Sequence, residues 1–296
     1  MIPDNHHRDQ SQHHGHPRDL VVYGKTATTD LLWPLITLTG AVRIALMHNG
    51  VVRLFNIDRI DGVAMFCKRH ALEWATVDSA RRLNDFKLLA MDMDSTLITI
   101  ECIDEIAAAA ALKPQVAAIT AAAMRGEIAY RESLTQRVAL LAGISERVLA
   151  DVYDERLALS PGAEMLMRAA KSAQLHTLLV SGGFTYYTER LKTRLGLDEA
   201  HSNTLEIVAG KLTGRLVGEI FDGAAKARAV QAAADRLGAR RDQIMVIGDG
   251  ANDLAMMAIA GTSIAYHAKP LVREQASFTL DTVGLDAVLG LFPPIP

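Results

Sequence analysis

FKLLAMDMDSTL, residues 86–97, is the stretch on which the fold turns. Its first half, FKLLAM, is an apolar run of strand length, and such runs belong to strands covered on both faces of a parallel sheet. Two aspartates, Asp92 and Asp94, follow at once, with the hydroxyls of Ser95 and Thr96 directly beyond. Ligands gather at the carboxyl ends of parallel strands, so a strand that stops on carboxylates opens onto a site. Two other readings fit the same residues. Solvated turn aspartates have this composition. A calcium loop starting at Asp92 would need glycine at its sixth position and glutamate at its twelfth, where Leu97 and Ile103 stand, and a helix before it in place of a strand.

Downstream, residues 103–159 read as helical throughout, punctuated by Pro114 at one helix start and by Gly126 and Gly143 after two others. Alternation then resumes. Ser160-Pro161 starts a helix, HTLLVSGG (176–183) is a strand, and a further helix runs to about Leu195. NTLEIVAGKLTGRLVGEI (203–220) reads as a hairpin, followed by a helix over Lys226 to Leu237, the strand QIMVIGDG (243–250), a helix near Asp253 to Ala260 and the strand TSIAY (262–266). Strands alternating with helices predict an α/β core of three layers, a parallel sheet between helices. The long helical segment is then an insert after the first strand.

Upstream, residues 19–85 suggest a small α/β unit. It contains the apolar run LVVYG (20–24), a helix near Asp30 to Leu38, a hairpin in IALMHNGVVRLFNI (44–57) turning at Asn49-Gly50, and an amphipathic helix over Arg59 to Ala75. The polar segment VDSARRLND (77–85) marks the boundary with a second unit over 86–296. Five histidines fall within the first sixteen residues, a composition that suits a transition metal or, more simply, a disordered tail over 1–18.

Composition narrows the function classes. A formal net charge of -3, with lysines and arginines scattered along the chain, supplies no basic field for nucleic acid or an anionic membrane. The most apolar stretch, Ile106 to Met124, carries Lys113, Pro114 and Gln115 at its middle, which argues against a membrane span. The head lacks an apolar segment behind a basic start, and the two cysteines, Cys67 and Cys102, have no zinc or redox spacing, so the expectation is a cytoplasmic protein.

Three further features join the aspartate pair. GDGANDL (248–254) places Asp249 and Asp253 after an apolar run, where glycines let backbone approach a ligand, although glycine-rich turns after strands are common. In VSGGF (180–184) the Ser181 hydroxyl and the glycine amides suit phosphoryl oxygens. Lys226 is a lone lysine in an alanine-rich helix, a position usually just solvated.

Taken in order, the DxD pair, the strand-end serine, the lysine and GDxxxD resemble the haloacid dehalogenase-like hydrolase superfamily, over about Phe86 to Phe292. Within it, DMDSTLITIECIDEIA (92–107), RGEIAYRESLTQRVALL (125–141) and SGGF (181–184) are similar to the phosphoserine phosphatases. The resemblance implies a haloacid dehalogenase-like core whose helical insert is a cap, and hydrolysis of a small phosphomonoester, phosphoserine, in the last step of serine biosynthesis. It implies Asp92 as nucleophile and Asp94 as proton donor and acceptor. Mg²⁺ would be held by the side chains of Asp92 and Asp249 and the backbone carbonyl of Asp94. Ser181, Gly182, Lys226 and Asn252 would hold phosphate, with Asp253 in support, and Glu101, Tyr130 and Arg137 would bind substrate from the cap. Tyr130 departs from the family pattern, which usually has phenylalanine there.

The nearest rivals are a phosphatase or phosphotransferase for another small phosphomonoester, and a sensor in which the N-terminal unit binds a ligand and the core is vestigial. Dehalogenases lack a second aspartate like Asp94, and ion-pumping ATPases need membrane spans. Beyond the substrate, the one partner the sequence raises is a second copy, paired through the N-terminal domain.

Overall fold

The structure, a computed structural model, describes residues 17–48 and 50–293, and two sheets organise it. The first belongs to the N-terminal domain, built in the order β1 (Arg18–Tyr23), α1 (Thr29–Thr39), β2 (Arg43–His48), β3 (Val51–Ile57), α2 (Val63–Arg69) and β4 (Glu73–Asp78). Its strands pair antiparallel in the order β2-β3-β1-β4, a ferredoxin-like split arrangement. Period-two alternation assigns the faces. Leu20, Val22, Val52 and Leu54 pack on α1 and α2, and Val21, Tyr23 and Val51 face the other way.

The helix expected over Arg59 to Ala75 is shorter. It ends at Arg69, Ala71 adopts φ +52°, and the chain enters β4 at Glu73. Apolar residues up to Cys67 keep helical spacing, but Trp74, Ala75, Thr76 and Val77, rich in aromatic and β-branched side chains, pair with β1. The expected β2–β3 hairpin is present, while Asn49 of its turn lies outside the described residues. Of the expected tail over 1–18, only Pro17 and Arg18 are described, and Arg18 already belongs to β1.

The second sheet begins with β5 (Leu88–Met91). Four helices intervene: α3 (Cys102–Ala109), α4 (Lys113–Met124), α5 (Tyr130–Ala139) and α6 (Arg147–Glu155). Then follow α7 (Ala163–Ser172), β6 (His176–Phe184), α8 (Thr185–Leu195), β7 (Glu199–Val208), β8 (Lys211–Val217), α9 (Gly223–Leu237), β9 (Ile244–Gly248), α10 (Leu254–Met257), β10 (Thr262–Tyr266), α11 (Pro270–Gln275) and β11 (Phe278–Leu280). The order β11-β10-β9-β5-β6-β7-β8 is parallel except for the β7–β8 hairpin. Helix α10 is shorter than the expected span over Asp253 to Ala260, and α11 and β11 extend the alternation further than the sequence reading carried it.

Layering follows from β5 itself. Leu88 and Ala90 pack with Val230, Ala233 and Ala234 of α9 and Met256 of α10, and Leu89 and Met91 face the layer of α7, α8 and the turns at Leu285–Leu291. Those C-terminal turns also pack on Val21, Tyr23 and Val51 of the first sheet. The base of the insert is closed where its two crossings meet: Ile98 bridges Leu159, and Ser160 N–H donates to the Leu97 carbonyl at 3.0 Å. On its far side, the β7–β8 hairpin reaches out to the insert, with the Gly143 and Leu212 amides donating to the Leu212 and Ile144 carbonyls.

Candidate active site

From β5 the chain runs on one side to β6, β7 and β8, and from β9 on the other side to β10 and β11. The crevice between β5 and β9 is therefore a topological switch point, where ligands bind in such sheets. Asp92 directly follows β5 and Asp249 directly follows β9. After Asp92 the chain makes one wide turn, with Ile98 N–H donating to the Met93 carbonyl and Ser95 at φ +56°.

Lys226, from the first turns of α9, is fully buried, and its Nζ lies 2.8 Å from Asp92 Oδ1 and 2.8 Å from Asp253 Oδ1. Burial alone would lower its pKa, but Asp253 and Asp92 outweigh that and raise it, so it remains an ammonium. Asp222 starts α9 by accepting the Ala225 N–H at 2.9 Å, which fixes where Lys226 enters. The other oxygen of Asp253 accepts the Asp249 and Gly250 amides at 3.1 and 3.0 Å. Met93 N–H donates to Asp92 Oδ1 at 2.7 Å, and Thr96 Oγ1 donates to Asp249 Oδ1 at 3.1 Å.

Asp92, Asp249 and Asp253 each bring a carboxylate oxygen within 4.8 Å of the others. Since both Asp253 oxygens are taken by Lys226 and the loop amides, the unoccupied oxygens of the cluster belong to Asp92 and Asp249. Burial first, then Asp253, drives the Asp92 carboxyl well above the usual range, against the pull of Lys226. Asp249 is pushed up to about 6 by burial, Asp253 and Glu101. Several crowded carboxylates face one ammonium, and an excess of negative charge carried on oxygen donors suits a hard divalent cation.

Asp94 accepts the Cys102 N–H at 3.2 Å, and its other oxygen hangs over Gly183, 2.7 Å from where a Cβ would stand. Glycine at 183 is what leaves room for it. Burial, then the Glu101 charge, pushes Asp94 up to about 7, where a carboxyl exchanges protons near neutrality. Ser181 is fully buried at the end of β6, its Oγ accepting the Gly183 N–H at 2.9 Å. Gly182 is fixed by Asn203, whose side chain donates to the Gly182 carbonyl at 2.9 Å and accepts the Phe221 N–H at 2.7 Å.

One cavity of about 800 Å³ joins these groups to the helical insert. Asp92, Asp94, Gly182, Asp249 and Asn252 line its floor, and Glu101, Tyr130 and Arg137 line its upper wall. Tyr130 and Arg137 stand two turns apart on α5, as their spacing required. Glu101 precedes α3 and accepts the Ser95 hydroxyl at 2.8 Å. Arg137 donates only to the Ser133 carbonyl of its own helix, at 3.4 Å, and has no carboxylate partner among the described residues.

All the residues singled out in the sequence thus border one space or, as with Ser181, Lys226 and Asp253, lie directly beneath it. Sequence reasoning noted the Thr96 hydroxyl without its role, which is to steady Asp249, and missed Asn203, which joins the β6 loop to the approach of α9. Thr120 and Met124 of α4 also line the cavity unannounced, as do Arg131 and Asp222, which pair across its mouth at 2.7 Å. Their four-residue spacing on a helix was the signal for Thr120 and Met124, and the helix-start pattern FDGAAK was the signal for Asp222.

Residues 89–258 match the family model described as haloacid dehalogenase-like hydrolase. A phosphoserine phosphatase from Polaromonas sp. is 55% identical over 215 residues, covering 71% of this chain and 91% of its own length. A haloacid dehalogenase family hydrolase from Salmonella enterica superposes with a TM-score of 0.81 at 32% identity, over 93% of this chain and 98% of that one. A phospho-aspartyl intermediate analogue of phosphoserine phosphatase superposes at 0.65 with 36% identity, over 70% and 99% of the two chains. Motif order, sheet topology and these likenesses agree, and the chain belongs to the haloacid dehalogenase-like hydrolases.

Proposed function

We propose that this enzyme hydrolyses phosphoserine to serine and inorganic phosphate through an aspartyl-phosphate on Asp92. The observation that carries the reading is the single cavity in which a phosphate-type floor faces Glu101 and Arg137. Phosphoserine has an ammonium and a carboxylate beside its phosphate, and these two side chains offer the opposite charges. The 55% identical Polaromonas phosphoserine phosphatase supports the substrate, and the phospho-aspartyl analogue supports the intermediate.

Asp92 attacks phosphorus through the oxygen that Lys226 leaves free. The new O–P bond forms as the ester P–O bond breaks, and Asp94 gives its proton to the departing serine oxygen. Water then attacks the aspartyl-phosphate, Asp94 takes back a proton, and Asp92 is released with phosphate. Ser181, the Gly182 amide, Asn252 and Lys226 hold the transferring oxygens in a preorganised set of donors. Asp253 keeps Lys226 in place. Mg²⁺ fits the hard oxygen donors of Asp92 and Asp249 with the Asp94 carbonyl, and when bound it neutralises charge between the nucleophile and the anionic ester. Turnover should therefore disappear in excess chelator and return with Mg²⁺ but poorly with Ca²⁺. Full activity in chelator would remove the metal from the account.

Substrate choice is tested at Arg137, whose planar fork suits a carboxylate. Arg137→Ala should lower kcat/KM for phosphoserine by about a hundredfold, equivalent to roughly 3 kcal/mol, and scarcely change hydrolysis of an aryl phosphate that has no carboxylate. Equal losses on both substrates would make Arg137 structural and leave the choice of phosphoserine without its anchor.

A further inference from the structure

Tyr130 opens α5, and its ring enters the cavity over the β6 loop. A Cβ on Gly182 would run into the Tyr130 hydroxyl and would lie 3.5 Å from the ring carbon that carries it. The hydroxyl therefore occupies the space that a side chain at 182 would have filled. The charges of Lys226, Arg137, Asp92 and Asp94 all act on it, so it stands close to the reacting groups. Among the described residues it makes no hydrogen bond to the protein. Tyr130 keeps 36% of its surface exposed, and a ring there that served packing alone would do so equally well as phenylalanine, the residue the family pattern usually has. Burial, first of all, pushes the phenol up to about 12, so it keeps its proton at neutral pH and remains a donor.

We propose that the Tyr130 hydroxyl is a further substrate-binding donor, holding a non-bridging phosphoryl oxygen from the cap side. This rests on the phosphatase reading above and extends it. Position decides which end of the substrate is held. Gly182 adjoins Ser181 in the loop assigned to phosphate, and Arg137 lies two turns further along α5, about 10 Å away along the helix axis. The amino-acid end belongs to Arg137 and the phosphoryl end to Tyr130. In consequence the cap contributes a group at each end of the substrate, and the Tyr130 hydroxyl completes the donor set around phosphorus.

Tyr130→Phe removes one oxygen and keeps the ring. It should lower kcat/KM about tenfold for phosphoserine and by the same factor for an aryl phosphate, weaken competitive inhibition by inorganic phosphate in proportion, and leave the thermal midpoint unchanged. A loss confined to phosphoserine would place the hydroxyl at the amino-acid end and overturn the proposal, as would unchanged kinetics on both substrates. If the unmodified enzyme hydrolyses aryl phosphates but not phosphoserine, the substrate reading fails, and the aryl phosphate and inorganic phosphate arms still decide the role of Tyr130. A second variant tests where the hydroxyl sits. Gly182→Ala should be far more damaging alone than in the Tyr130→Phe background, where the nearest ring carbon is at ordinary contact distance. Equal damage in both backgrounds would mean that the hydroxyl does not stand over Gly182.

Discussion

Asp92 is held in a state that folding alone does not favour. It is 5% exposed, close to Asp253 and Asp249, and relieved by Lys226 and the Met93 amide. Because burial and repulsion raise its folded pKa, keeping it ionised at neutral pH costs stability. Asp92→Asn should accordingly abolish turnover by several orders of magnitude and, measured in chelator, raise the thermal midpoint. Turnover near that of the unmodified enzyme would overturn its assignment as nucleophile, and a lower midpoint would show that the Lys226 contact outweighs the repulsion. Asp92, Ser181 and Asp249 were legible in the sequence because each follows an apolar run that a parallel sheet buries. Thr96 and the Cys102 amide were not. Their contacts with Asp249 and Asp94 depend on how the turn after Asp92 closes, and on strand neighbours 153 residues apart.

At the scale of elements, the alternating core could be read from period and punctuation, whereas the segment after Cys67 could not. Seven residues of helix followed at once by a strand leave too short a window for either period to declare itself. The start of β7 is a comparable case. The hairpin reading began at Asn203, yet the strand starts at Glu199, where a cluster of side chains fixes it against β6 and α9. His176 Nε2 lies 2.8 Å from Glu199, His201 Nε2 lies 3.3 Å away, and Arg236 at the end of α9 also pairs with it. Burial works to raise the Glu199 pKa, but Arg236, His201 and His176 prevail and bring it to about 2. A carboxylate depressed in this way stabilises the fold above its ordinary pKa, and that stability fades as pH falls toward 2. Allowing for partial exposure, Glu199→Gln should cost about 1–2 kcal/mol at pH 7, and the gap should narrow by about half near pH 3. Denaturant titrations of both proteins at the two pH values measure this, and a gap constant with pH would place the stabilisation elsewhere.

In the molecule as a whole, Arg53 joins the first sheet to the C-terminal turns that pack on the second. It is fully buried, donates to Asp19 Oδ2 at 2.7 Å within its own sheet, and donates at 3.2 Å to the carbonyl of Gly290 in the C-terminal turns that cover the second sheet. Asp19 also accepts the Asn56 N–H at 2.8 Å. Removing one partner of such a pair leaves a buried charge uncompensated, so Arg53→Ala should cost about 3–5 kcal/mol, and the double change with Asp19→Ala should cost less than the two single changes summed. A single cost below about 1 kcal/mol would mean that the pair is already hydrated. None of this junction was legible in the sequence, since an arginine in the middle of VVRLF reads as the polar face of a strand and the carbonyl it meets is 237 residues away. That separation sets a timetable. The carbonyl of Gly290, in the turns at Leu285–Leu291 that the first sheet leans on, is made 237 residues after Arg53, so at roughly 5–20 residues per second the N-terminal strands wait about ten seconds or more for their seat. During that interval Val21, Tyr23 and Val51 present a bare apolar face, which a chaperone has to shield until the turns that cover it emerge.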